Sequence, residues 1–209
     1  MYAEFIYKLK QEIIKGLPGW DAQKRMALPD RDKSRYTADI EKKPRESGVL
    51  IWLYPNEDRI YVRLILRAEF GVHSGQIAFP GGRAEPFDAD LWSTALREAN
   101  EEIGLPVDKV TKIGALTPLY IPPSNFIVHP FIGTSDSIFD ASINKAEIQK
   151  YFDVNILKLV DPETKQEKSI NLSSGLQRTV PAYVLEGYAV WGATAMMLSE
   201  LEELVRRIL

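Results

Sequence analysis

Two rhythms of apolar and polar positions run along this chain, and the change from one to the other organises it. Near the start, Phe5, Ile6, Leu9, Ile13 and Ile14 recur at helical spacing, and Gly16 with Pro18 closes the stretch. This predicts an amphipathic helix that docks on the main domain or on a second subunit, as in a homodimer. From Asp21 to Ser47 the sequence is polar with little periodicity, and a surface lead-in with a short helix over residues 21–27 is expected. After Gly48 the rhythm shortens. Residues 49–54 are continuously apolar, 55–58 form a turn, and 60–66 return, which predicts a β-hairpin. Residues 76–79 read as a short strand entering a Gly-Gly turn at Gly81 and Gly82. Residues 109–120 and 127–133 predict another strand pair around Pro122 and Pro123, and 144–152 read as helical. Residues 157–160 are short and apolar, 177–185 with 188–191 predict a second hairpin, and 193–208 a closing helix. Strands with helices between and after them imply an α/β fold, a mixed sheet covered on both faces. The expected division is 1–46, an N-terminal helix and polar lead-in, and 47–209, the main domain.

The helix over 91–103 carries the chemistry. Asp88 or Asp90 can cap its start, and Gly104 followed by Pro106 is a stop. At helical spacing Leu91, Trp92, Ala95, Leu96, Ala99 and Ile103 fill one arc, while Glu98, Glu101 and Glu102 fill the next. Glu102 overlaps the edge of the apolar arc, where a carboxylate is costly unless paired or metal-bound. Three carboxylates at i, i+3 and i+4 repel one another, and a divalent cation removes that repulsion. Hard oxygen ligands of this kind suit Mg²⁺ or Mn²⁺, with phosphate oxygens and waters completing the shell. An E-x-x-E-E run alone is more often a solvated face. Here it follows a Gly-Gly pair, an acid and Arg97, and the ordered set points to a metal site.

Composition narrows the class. A length of 209 residues suits one domain with an appended segment. A net charge of −3 argues against a nucleic-acid binder, which would show a basic surface. The absence of cysteine excludes disulfides and thiolate metal sites and fits a reducing cytoplasm. No apolar run reaches the length of a membrane span, and the first residues lack the order of a signal peptide, so no membrane association is expected. His73 and His129 are the only histidines, and with no G-x-S-x-G elbow a serine triad is not expected.

Residues 75–105, GQIAFPGGRAEPFDADLWSTALREANEEIGL, resemble the Nudix box, G-x5-E-x7-R-E-U-x-E-E-x-G-U with U aliphatic. In this chain five residues separate Gly82 from Asp88, and eight separate Asp88 from Arg97. The extra spacer residue, the acids Glu85 and Asp88, the R-E-A variant, HSGQIAFPGG, SNFIVHPFIG and WGATAMML are similar to the coenzyme A diphosphatase branch. Upstream, Arg67-Ala68 matches that branch's signature, whereas Ile65 replaces a Thr and a second Arg has no counterpart.

The resemblance implies an α/β/α sandwich and divalent-metal-dependent hydrolysis of a nucleotide diphosphate linkage. For a coenzyme A substrate the products would be 3′,5′-ADP and a 4′-phosphopantetheine species. The incomplete upstream signature leaves ADP-ribose-like and other nucleotide diphosphates as the alternative, and a non-catalytic Nudix-fold binding module as the alternative of another class. It implies Glu98 and Glu102 as direct ligands of Mg²⁺ or Mn²⁺, Glu101 through a second metal or water, and the carbonyl of Gly82 or Gly81 as a further oxygen. Arg97 is expected to pair with Asp88 or Glu101 and hold the carboxylates, and the general base is either one of the box carboxylates or a later-loop acid, for which Glu147 is the candidate. Arg67, His73 and the Gly81 backbone are the candidate substrate contacts, a guanidinium matching phosphate geometry.

Overall fold

The computed structural model describes residues 2–28, 43–68, 75–171, 175 and 177–209. Its spine is strand β1 (Arg45–Asn56), which pairs in parallel with β7 (Phe126–Thr134) from Arg45 opposite Phe126 to Leu53 opposite Thr134. The apolar run within β1 is continuous because both of its faces are buried. Leu50, Trp52 and Tyr54 face helix α3 (Leu91–Ile103), meeting Ala95, Ala99 and Ile103. Ile51 and Leu53 face the opposite layer, with Leu9 of helix α1 (Tyr2–Lys15) and Met196, Met197 and Leu201 of helix α4 (Gly192–Ile208). A mixed sheet lies between helical layers, as expected of the α/β/α class.

The remaining pairings explain how the Gly-Gly segment reaches the site. Strand β2 (Arg59–Arg67) returns antiparallel to β1, but only Leu53–Asn56 pair with it. Beyond that point the two strands separate. On one side β2 continues along β8 (Ile148–Asn155); on the other it takes up β3 (Ile77–Ala78) in place of β1. In the same way β1, flanked by β7, takes up β4 (Gly81–Arg83). Residues 77–83 are therefore wedged between the splayed halves of a hairpin. The Gly-Gly pair, expected as a turn, is part of a strand.

Two other expectations are corrected, and one further strand appears. Residues 144–152 are not a helix: a turn at 145–147 leads into β8, where Ile148 and Val154 are buried and the ladder to β2 holds the backbone extended. The stretch 109–120 divides into β5 (Thr111–Ala115) and β6 (Leu119–Ile121), both antiparallel to β7, with Pro118 in the break. A strand without a prominent apolar pattern, β9 (Lys165–Asn171), joins β10 (Gln177–Leu185) and β11 (Tyr188–Trp191) in a three-stranded sheet. The predicted 177–191 hairpin is its other half.

Helix α1 and the short α2 (Trp20–Gln23) pack on α4, so the N-terminal segment shares the core of the main domain. Helix α4 carries two fully buried acids, each satisfied within the protein. Glu200 accepts from the Gly19 N–H at 3.0 Å, Gln23 Nε2 at 2.8 Å, and the Thr117 N–H and hydroxyl, the latter at 2.6 Å. Glu202 accepts from Lys165 Nζ at 2.5 Å, the Tyr183 hydroxyl at 2.5 Å and Arg206 Nε at 2.7 Å. Among the described residues no helix is long and apolar enough to cross a membrane.

Because Leu9 is completely buried between α4 and the sheet, Leu9→Ala is expected to lower stability by about 2–5 kcal/mol in urea denaturation. A loss under about 1 kcal/mol would show that α1 is only loosely seated.

Candidate active site

Helix α3 begins where Asp90 Oδ1 accepts from the Ser93 N–H at 2.8 Å, and it ends at the left-handed Gly104. Ala95, Ala99 and Ile103 lie fully buried on the sheet, while Leu91, Trp92 and Leu96 are half-buried at the edges of that face. Such close seating needs small partners. A Cβ on Gly48 would fall 2.3 Å from the Leu91 carbonyl oxygen, and one on Gly82 within 2.4 Å of the Glu98 carboxylate. Without those side chains, α3 lays Glu98 and Glu102 directly on the wedged segment.

Glu102 is only 1% exposed; its Oε2 accepts from the Gly81 N–H at 2.9 Å, and Arg67 Nη1 approaches Oε1 at 3.3 Å. Burial pushes its carboxyl up to about 8, against the Gly81 N–H and the Arg67 charge, and the neighbouring charges of Glu98 and Glu147 add to the rise. Glu98 is raised as well, first by burial, with Glu101 and Glu147 contributing and Arg97 opposing. Of the three glutamates buried among the described residues, Glu200 and Glu202 are ringed by donors, whereas Glu102 has one backbone N–H and one long guanidinium contact.

Arg97 holds the arrangement from the solvent side. Its Nε and Nη2 fork onto Asp88 at 2.9 and 3.0 Å, Nη2 also reaches the Arg83 carbonyl at 3.0 Å, and Nη1 reaches Glu98 at 2.8 Å and Glu101 at 3.1 Å. All five guanidinium N–H groups are thereby used. The fork from Arg97 holds the Asp88 carboxyl far below the usual carboxylate range, and the same bond raises Arg97.

The structure thus brings Glu98, Glu102, Arg97, Arg67, Gly81 and Gly82 together. Glu101 stands at the rim, 52% exposed. Glu147 lies in the turn before β8, its backbone carbonyl accepting from the Ala68 N–H at 2.7 Å and its Oε1 from Asn144 Nδ2 at 3.2 Å. Its loop is laced to the end of α3 by Asn144 N–H to the Glu102 carbonyl and Ser142 N–H to the Ile103 carbonyl, both 3.0 Å. His73 lies outside the described residues. Two residues had no functional reading in the sequence. Thr94, fully buried, donates to Asp88, and Asn144 orients Glu147; a lone Thr or Asn carries no spacing signal.

Among the described residues no three acidic or histidine side chains already form a closed set for a metal. The donors nevertheless suit a hard divalent cation. Mg²⁺ commonly binds through one or two carboxylates with waters and substrate phosphates, and here two raised carboxylates lie side by side with too few donors.

Comparison with known proteins agrees with this geometry. The NUDIX domain model matches residues 44–171, more than half of the chain. The chain belongs to the Nudix family. A Nudix hydrolase from Photorhabdus laumondii, named NudL and itself uncharacterized, is 34% identical over 134 residues, spanning 64% of this chain and 71% of that protein. NudL of Yersinia pestis is 33% identical over 133 residues, 64% of this chain and 66% of its own length. Among solved structures, the Nudix hydrolase RenU from M. Smegmatis superposes with a TM-score of 0.56 at 17% identity, covering 79% of this chain and 88% of that one. At that identity the likeness is one of fold. The Nudix match ends before β10, yet β10, β11 and α4 pack into the core that carries the Nudix helix's sheet.

The raised carboxyl of Glu102 has a consequence for stability in chelator. Folded Glu102 keeps a proton that the unfolded chain, with an ordinary value of about 4.3, has already released. Its contribution to stability is present below about pH 4 and is lost as pH rises through about 8. Glu102→Gln stays neutral throughout, so its stability should fall less than wild type's between pH 5 and pH 8 in EDTA. Parallel curves by chemical denaturation would contradict the assigned shift.

Proposed function

We propose that this chain hydrolyses the diphosphate linkage of a nucleotide diphosphate-linked compound with Mg²⁺ or Mn²⁺, and that coenzyme A or a derivative is its preferred substrate. As a Nudix-family chain it is a hydrolase of phosphoric anhydrides. The observation that carries the metal assignment is Glu102, a buried carboxylate short of donors beside a second raised carboxylate, in a protein that saturates its other buried glutamates.

Glu98 and Glu102 would hold the metal with a backbone carbonyl at Gly82, and Glu101 would join through water. A bound divalent ion supplies charge neutralisation on the phosphate oxygens and lowers the pKa of a water. Arg97 keeps the Glu98 carboxylate in place through its bonds to Asp88 and the Arg83 carbonyl. Arg67, beside Glu102 and 35% exposed, presents a guanidinium to a phosphate. Glu147, held by Asn144 on a loop tied to α3, accepts the proton of the attacking water.

Coenzyme A is favoured by the branch motifs within and beyond the box, and two of them have structural work. Glu85 and Asp88 close the loop ahead of α3, the Glu85 N–H donating to Asp88 Oδ2 at 2.9 Å. Thr194 of WGATAMML donates to the Ile77 carbonyl at 2.9 Å, bracing the strand that delivers Gly81 and Gly82.

With Mg²⁺ or Mn²⁺, coenzyme A should yield 3′,5′-ADP faster than ADP-ribose, NADH or dinucleoside polyphosphates are cleaved, as read by product chromatography. Glu98→Gln and Glu102→Gln should each reduce turnover by roughly a hundredfold or more while remaining folded. Preferential cleavage of another panel member would replace the substrate; tight binding without cleavage would favour a binding module. Full turnover in either variant would sink the metal assignment.

A further inference from the structure

At helical spacing Thr94 falls on the arc of α3 that carries Glu98 and Glu101. Thr94 is fully buried in the first turn of α3. Its Oγ1 lies 2.8 Å from Asp88 Oδ2 and 3.3 Å from the Asp90 carbonyl. A hydroxyl has one proton to give, and the shorter contact to a charged acceptor takes it.

Asp88 is thereby saturated. Its Oδ2 accepts from the Thr94 hydroxyl, the Glu85 N–H at 2.9 Å and Arg97 Nη2 at 3.0 Å, and its Oδ1 accepts from Arg97 Nε at 2.9 Å. The bonds come from the start of α3, the loop ahead of it and the guanidinium, so the carboxylate plane cannot turn without breaking at least one. Arg97 in turn has its planar fork fixed on that carboxylate, which aims Nη1 at Glu98 and Glu101. Released from Asp88, the guanidinium would keep the Arg83 carbonyl, the Phe87 ring and the two glutamates, one of them half exposed.

We propose that Thr94 is a positioning residue, which locks Asp88 so that Arg97 holds Glu98 in its working orientation. The proposal rests on the hydrolase reading above. The turn at 85–88 places Asp88 over the first turn of α3, within reach of both Thr94 and Arg97.

The test compares Thr94→Val, which keeps shape but has no hydroxyl, with Thr94→Ser, which keeps the hydroxyl. Thr94→Val should lower kcat by roughly ten- to hundredfold with little change in KM, the scale of outer-shell effects, and Thr94→Ser should recover most of the loss. In chelated protein, the ¹⁵N Nε–H resonance of Arg97 should be slow to exchange in wild type and Thr94→Ser and fast in Thr94→Val. Wild-type kcat and an unchanged Arg97 resonance in folded Thr94→Val would overturn the lock, even with lowered stability, and would leave Thr94 a packing residue. If wild type cleaves no diphosphate, the hydrolase reading falls and the Arg97 resonance still decides whether the lock exists.

Discussion

The structure turns on where a buried carboxylate finds its counter-charge. Glu102 lies under the sheet-facing side of α3, against the Gly81 N–H, and burial raises it to about 8. Isolated buried charge is among the costliest arrangements available to a protein. Much of the surrounding architecture serves to place that carboxylate and Glu98 side by side at a glycine strand. The splay of β1 from β2 opens the gap, residues 77–83 fill it, and Gly48 and Gly82 let the helix descend onto it.

Helix α4 shows the other solution to the same problem. Glu200 joins Gly19, Gln23 and Thr117 across three segments, and Glu202 ties Tyr183 of the second sheet and Lys165 to Arg206. Both acids are complete within the protein and act as fasteners between layers. Glu98 and Glu102 are short of donors by comparison, Glu98 accepting from Arg97 and Glu102 from the Gly81 N–H and Arg67. Among the buried glutamates of the described residues, Glu102 accepts from the fewest donors.

Stiffness around the carboxylates comes from polar contacts with definite directions. Arg97 spends every donor on Asp88, Arg83, Glu98 and Glu101, and Asp88 accepts from four groups. On the far side, the 142–147 loop is bonded to the last turn of α3 through backbone groups. Preorganisation of this kind lets charge be placed before substrate arrives rather than rearranged afterwards.

Much of this was legible in the residues themselves. Helical spacing, Asp90 and Gly104 defined α3, and the overlap of Glu102 with the apolar arc foretold a carboxylate at a buried rim, because helix geometry is local. The continuous apolar run in β1 likewise announced a strand buried on both faces. Other features depend on contacts between distant segments. Residues 148–152, helical by their local pattern, became strand because β2 offers a ladder. The Gly-Gly pair became strand because β1 and β2 part around it. Glu200 and Glu202 look like a solvated helix face until Gln23, Thr117, Lys165 and Tyr183 arrive from elsewhere in the chain. The sequence by itself determined the acidic helix and its limits, since those follow from spacing along one segment. Only the tertiary structure decided which acids are saturated and which are left wanting, because a buried charge is satisfied by donors that sequence distance does not predict.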